Sequence, residues 1–175
     1  VIDADGNAAS VTISNGEGNG HIVEGGGFML NNMLGEEDLH TEGFHQWTPG
    51  RRLSSMMAPT VIAAPDGGLT ALGSGGSNRI RSAILQVALN LIDRRMTLAE
   101  AVAAPRLHVE KCGTASFEDL LAADERAALL AAFPNAQPWP DRNLFFGGVH
   151  AAARRADGVL EGAGDPRRGG VSLTA

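Results

Sequence analysis

Residues 72–81 read LGSGGSNRIR. Three glycines and two serines crowd positions 73–78, and an apolar pattern with helical spacing begins directly behind them. A strand that ends in a glycine turn and opens into a helix bares backbone N–H groups. The helix adds the positive end of its dipole, so the turn can hold negative charge. A nucleotide phosphate is disfavoured by the residues themselves. A Walker-type phosphate loop needs Lys and then a hydroxyl residue after its last glycine, whereas the only Lys of this chain is Lys111. The dinucleotide fingerprint needs G-x-G-x-x-G, a spacing absent here. Two readings remain: an oxyanion hole built on Gly75 and Gly76, and a strand-to-helix turn with no ligand.

Downstream of this turn, Ile80, Ala83, Ile84, Val87, Ala88 and Leu91 predict a helix over 78–94. TLAE (97–100) is a capping box for a second helix that stops before Pro105. Upstream, APTVIAA (58–64), PDGG (65–68) and LTALGS (69–74) predict a hairpin. RLHVE (106–110) reads as a short strand and 116–133 as a helix with an acidic start. NLFFGGVHAAAR (143–154) and GVLEGAG (158–164) read as a hairpin around ADG. Near the start, AASVTIS (8–14) predicts a strand after the turn DADGN (3–7). That turn begins like a calcium loop but lacks the closing Glu. Short strands are expected at 21–24 and 27–31 in a glycine-rich region, and no element over 36–55. A loop that long points to function. Strands, helices and strands with several hairpins predict an α+β fold with antiparallel pairs.

Composition narrows the classes. At 175 residues the chain is long enough for one domain with its own core. No apolar run reaches the ~18–20 residues of a membrane span. A net charge of −6, no Tyr and no basic face argue against nucleic acid as a partner. A single cysteine, Cys112, excludes an internal disulfide and a cysteine metal site, and leaves the compartment open. The five histidines are scattered without zinc spacing, so no metal is expected. The opening VIDADGN, without Met, reads as a piece of a longer polypeptide or as a subunit whose first residues are missing.

Two further stretches carry polar groups. Ser54 and Ser55 in RRLSSMMAPT (51–60) could bind a carboxylate or cap a turn; neither sits in a G-x-S-x-G elbow. Glu36, Glu37 and Asp38 in NNMLGEEDLH (31–40) form an acidic knot, which could recognise an ammonium, bind a metal or be a solvated surface. Anion-binding features thus stand without an obvious nucleophile.

Taken together, LNNMLGEED, RRLSSMMAPT, GSGGSNRIRSAILQ, EAVAAPRLH and GAGDPR follow one another as in the small, C-terminal subunit of gamma-glutamyltranspeptidases. The resemblance covers nearly the whole chain and is weakest over 111–142. It implies the four-layer αββα sandwich of N-terminal-nucleophile hydrolases, shared by two subunits of one proenzyme. Residues 1–175 would be a single domain forming the C-terminal part. In that family the proenzyme cuts itself and exposes an N-terminal Thr, whose α-amine serves as its base. An acyl group, typically γ-glutamyl from glutathione, passes to water or to an amino acid or peptide. The resemblance puts this Thr about five residues before Val1, so the chain alone is expected to be inactive.

Carried over by resemblance, Asn15 matches the Asn that binds the substrate α-carboxylate. Thr12 or Ser14 matches the hydroxyl residue touching the nucleophile, and Ser54 and Ser55 match the serine pair around that carboxylate. Gly75 and Gly76 match the Gly-Gly oxyanion hole, and an ungapped reading shifts the pair to Gly76 and Ser77. Glu36, in the acidic knot with Asp38, stands where the family holds the α-ammonium, whereas Met33 replaces a Gln or Glu. Losing one polar partner costs ~1–3 kcal/mol and alters selectivity. The resemblance therefore also admits an amidase or acylase of other acyl amides, such as β-lactam side chains, and a supporting subunit without catalysis. The short segment before Ser54 implies an open donor site able to admit bulky or polymeric substrates. No cofactor is implied. The implied partners are a large subunit that supplies an Arg, in a dimer or heterotetramer, with a small-molecule donor and acceptor and neither nucleic acid nor membrane.

Overall fold

The computed structural model describes residues 1–14, 18–40 and 42–173. They fall into two compact units, Ile13–Met56 and the combination of Val1–Thr12 with Met57–Ala175.

The smaller unit carries a two-stranded antiparallel ribbon, β1 (Gly18–Ile22) and β2 (Met29–Asn31). The strands expected at 21–24 and 27–31 are displaced because the chain reverses at Val23–Phe28. There Val23 N–H donates to Phe28 O at 2.9 Å, and Gly25 and Gly27 take positive φ. Two 3-10 turns follow, Met33–Gly35 and Glu37–Leu39, so the acidic knot is partly helical and not structureless.

The larger unit begins with a turn in which Asp3 accepts from Asn7 N–H at 2.8 Å and from Asn7 Nδ2 at 2.7 Å. Only the bridge Ile2–Ala8 marks the strand expected over 8–14. The alternation there comes from one face lying on the sheet. Ser10 Oγ donates to Leu72 O at 2.7 Å, while Val11 and Ile13 are exposed. β3 (Thr60–Ala63) and β4 (Leu69–Gly75) form the expected hairpin, with the Asp66 side chain accepting from Gly68 N–H. α1 (Arg79–Ile92) buries Ile80, Ala83, Ile84 and Val87 of the predicted stripe and half-buries its Ala88 and Leu91. α2 (Leu98–Ala103) starts on the Thr97–Glu100 capping box.

β5 (Leu107–Val109) pairs antiparallel with β6 (Ala115–Glu118), α3 spans Ala123–Ala132, and β7 (Gln137–Trp139) runs parallel to β6. The helix expected over 116–133 is therefore corrected: its first residues are a strand. Phe117 and Glu118 are both fully buried, and a segment enclosed on both sides overrides its own helical propensity. Phe117 forms a small core with Ala115 and Ala136, backed by Leu129, Leu130 and Phe133.

β8 (Gly148–Arg154) and β9 (Leu160–Ala163) complete an antiparallel sheet in the order β3-β4-β8-β9. Period-2 alternation divides its two faces. Leu72 and Ser74 on β4, opposite Ala151 and Val149 on β8, are on the buried side next to α1 and α2. Gly73 and Gly75, opposite His150 and Gly148, lie on the other side. Side chains from outside the sheet take the room these glycines leave: a Cβ on Gly73 would stand 3.0 Å from Thr12 Oγ1.

Candidate functional site

The turn from β4 into α1 is fixed from behind. Ser74 Oγ donates to Gly75 O at 2.9 Å and accepts from Gly148 N–H at 3.2 Å. Gly76 has φ +133°, and a Cβ there would come 2.8 Å from Gly147 Cα. Gly147 in turn has φ +81°, and a Cβ there would crowd Gly75 O, Ser74 Oγ and Ala83 Cβ at 3.0, 3.0 and 3.2 Å. Ser77 adopts φ 54°, a left-handed conformation uncommon for a residue with a Cβ. The first bonds of the helix run from Arg79 N–H to Gly76 O and from Ile80 N–H to Ser77 O, both 3.1 Å. The N–H groups preceding Arg79 thus lie outside the helix ladder, at its positive end. Such a turn can receive an anion on backbone donors. Gly75 and Gly76 are half-buried and Ser77 is exposed.

The support for Gly147 is a buried cluster of four charges that spacing did not disclose. Arg106 Nη2 meets Asp165 Oδ2 at 2.6 Å, and Arg167 Nε meets Glu118 Oε1 at 2.7 Å. Arg167 Nη1 also reaches Asp165 Oδ1 at 3.3 Å. The two carboxylates bind backbone as well. Glu118 accepts from Arg106 N–H and Asn143 N–H, and Asp165 from Val149 N–H and Arg167 N–H. Arg106 Nη1 donates to Phe146 O. The segment 143–149, against which Gly76 rests, is therefore tied at Asn143, Phe146 and Val149. Burial alone would raise the Asp165 pKa, but the Arg106 charge and the donors around the carboxyl hold it below the usual range. The pieces PRLH and GDPR contained three of these residues, but no local signal pairs them across chain separations of 49 and 59 residues.

A second polar chain runs beneath α1. His108 Nδ1 lies 2.8 Å from Ser82 Oγ, His108 Nε2 lies 3.5 Å from Glu110 Oε2, and Asn78 Nδ2 donates to Glu110 Oε2 at 2.9 Å. Burial pushes the His108 imidazole below its ordinary pKa, against the pull of Glu110. Ser82 also donates to Arg79 O from within a helix, so it serves as a bridge to the start of α1.

Thr12 is half-buried over Gly73 in the larger unit. The smaller unit holds exposed Ser14, half-buried Glu36, and exposed Asp38, Ser54 and Ser55. Asn15 lies outside the described residues. Within the smaller unit a cavity of about 470 Å³ is lined by His40, Trp47, Arg51, Arg52 and Ser54 among others. His40 organises this region. Its Nε2 lies 3.2 Å from Met33 O, and its ring meets Phe44 and Trp47 at 5.5 and 6.2 Å. Scattered histidines gave no sign of that role.

The chain matches the gamma-glutamyltranspeptidase family model over residues 1–175. It is 35% identical over 174 residues to the capsule biosynthesis protein CapD proenzyme of Bacillus anthracis, covering 98% of this chain and 32% of that protein. It is 36% identical over 176 residues to an acylase ACY 1 proenzyme of Pseudomonas sp. (strain V22), covering 99% and 31%. It thus spans about a third of the length of these curated relatives. Gamma-glutamyltranspeptidase from Pseudomonas nitroreducens complexed with L-DON superposes with a TM-score of 0.78 at 28% identity, covering 100% of this chain and 97% of that one. The expected α+β class of N-terminal-nucleophile type is borne out by this likeness.

Proposed function

The chain belongs to the gamma-glutamyltranspeptidase family, and on that premise we propose that it is the C-terminal part of a self-cleaving acyltransferase or hydrolase that acts on γ-glutamyl amides of glutathione type. A Thr upstream of Val1 attacks the amide carbonyl while its own α-amine takes the hydroxyl proton, and that proton passes to the departing amine as the C–N bond breaks to leave the acyl-enzyme. The acyl-enzyme then passes its acyl group to water or to an amino acid or peptide. The observation that carries the reading is the turn at Gly76–Ser77, whose helix-end donors suit the tetrahedral oxyanion. The left-handed φ of Ser77 favours the ungapped pair, Gly76 with Ser77, over Gly75 with Gly76. Thr12, packed over Gly73, supports the nucleophile in preference to Ser14. Asn15, Ser54 and Ser55 take the donor's α-carboxylate, and Glu36 with Asp38 its ammonium. A large subunit from the same proenzyme completes the site.

The test uses the whole proenzyme, with the upstream Thr intact or replaced by Ala, assayed on a chromogenic γ-glutamyl anilide. Self-cleavage and turnover should both vanish with the Thr. Equal activity from the Thr→Ala protein overturns the mechanism.

A second reading keeps the chemistry and changes the acyl group. Met33 brings a thioether in place of a polar side chain, its carbonyl lies 3.2 Å from His40 Nε2, and Trp47, Arg51 and Arg52 line the cavity beside Ser54. Aromatic and guanidinium walls suit a larger or anionic acyl chain. A panel of glutaryl, aminoadipyl and γ-glutamyl amides separates the two readings.

A further inference from the structure

Arg168 follows the buried Arg167 on a 3-10 turn, Pro166–Arg168. Asp165 caps this turn by accepting from Arg167 N–H, and Gly169 closes it at φ +59°. The turn is therefore anchored on the buried charge cluster. From it the Arg168 stem crosses Gly148, where a Cβ would overlap it at 2.4 Å from Cδ. The guanidinium comes to rest against the candidate oxyanion turn. A Cβ on Gly75 would stand 3.7 Å from Arg168 Nη1, and a Cβ on Gly76 would stand 3.7 Å from Nη2. Nη2 donates to Leu144 O at 3.2 Å. Among the described residues no carboxylate pairs with Arg168, in contrast to Arg106, Arg126, Arg155 and Arg167.

A positioned, solvent-facing guanidinium with unused donors beside an anion cradle has a chemical use. We infer that Arg168 binds a carboxylate on the leaving-group or acceptor side of the scissile amide. This rests on the reading of the Gly76 turn as the oxyanion cradle. The donor's own α-carboxylate is assigned above to Asn15, Ser54 and Ser55, so Arg168 serves a second anion. Its planar fork matches a carboxylate with two parallel N–H bonds, which an ammonium cannot reproduce. The glycines at 75 and 148 give the Arg168 side chain the room to lie against the turn. The substrate class is then an amide whose departing amine, or whose replacement, bears an acidic group, as the C-terminus of a peptide does.

The test compares two chromogenic donors on the processed full-length enzyme: γ-glutamyl-3-carboxy-4-nitroanilide and the plain γ-glutamyl-4-nitroanilide. The readout is the ratio of their kcat/KM values. R168Q should lower that ratio about tenfold, and R168K should restore only part of it, because the charge returns without the fork. A ratio unchanged in R168Q, with both donors falling together or neither falling, overturns the assignment. Binding of the leaving group alone, 5-amino-2-nitrobenzoate, followed by ligand NMR, needs no turnover. It should weaken in R168Q, and equal binding to both proteins overturns the inference. An enzyme that binds this acid through Arg168 yet hydrolyses neither anilide would instead count against the proposed reaction.

Discussion

Gly76 and Gly147 meet backbone to backbone: a side chain on Gly76 would place its Cβ 2.8 Å from Gly147 Cα. The contact joins the turn that opens α1 to the start of β8, and neither partner can move freely. Gly147 is itself hemmed in by Ser74 Oγ, Gly75 O and Ala83. The donors of the turn are thus held before any substrate arrives, which is what makes backbone dipoles effective on a developing charge.

Gly76→Ala meets two penalties at once, a φ of +133° and a collision with backbone that has no flexible end to yield. The turn must shift to admit the methyl group. In the processed full-length enzyme kcat should fall by about 10²–10³-fold, the usual cost of a displaced oxyanion donor. Steady-state assay beside circular dichroism separates this from unfolding. Near-wild-type kcat with an intact fold would remove the turn from the mechanism.

Arg167→Met leaves the buried Glu118 with backbone donors but without its cation partner, and Asp165 with Arg106 alone. Breaking a buried pair in this way costs roughly 3–5 kcal/mol, measurable as a lower urea midpoint. Glu118→Gln should cost a similar amount, since Arg167 then lacks its fork partner. Replacing both partners with apolar residues of matching volume should cost less than the sum of the single changes. A strictly additive double mutant would argue that the pair is not coupled.

The residues of this cluster show where a sequence stops being readable. The β3–β4 hairpin, α1 and the α2 capping box follow from local rules, because turn chemistry and a 3.6-residue period act within a few positions. Arg106, Glu118, Asp165 and Arg167 obey no such rule; their meeting depends on β6 being a strand. That segment reads as helix because SFEDLL has an acidic start, and only the packing around Phe117 and Glu118 reverses it. The cradle at 75–77 was visible as a glycine turn, but the conformation of Ser77 was not. Nor was the path of Arg168 over Gly148, since a side-chain trajectory leaves no periodic trace.

Acid should destabilise the larger unit in two separate stages. His108 is held neutral, chiefly by burial and further by Arg79 and Arg81. The unfolded chain therefore takes up a proton at this residue before the folded one does. Stability from this group is complete above the unfolded imidazole pKa of about 6.5 and declines as the pH falls below it. Asp165 has a depressed folded pKa, so its contribution is present above about pH 4 and is lost as the pH falls through the folded value. Urea midpoints measured between pH 7 and 5 should slope in the wild type and flatten in His108→Gln. An unchanged slope would show that His108 is not the titrating group.

Ser77 separates the hydroxyl from the backbone as the working group. Its φ of 54° costs an L-residue about 1–2 kcal/mol, which glycine escapes. Glycine gives back about 0.5–1 kcal/mol through the greater freedom of its unfolded chain. Ser77→Gly should therefore be as stable as the wild type or slightly more so by thermal melting. It keeps the N–H that the oxyanion needs and discards only the hydroxyl, so turnover should persist in the processed enzyme. Ser77→Ala keeps the strain as well as the N–H, and should be active with no gain in melting temperature. Loss of activity in both variants, each still folded, would assign the chemistry to the Ser77 side chain and move the oxyanion pair back to Gly75 and Gly76.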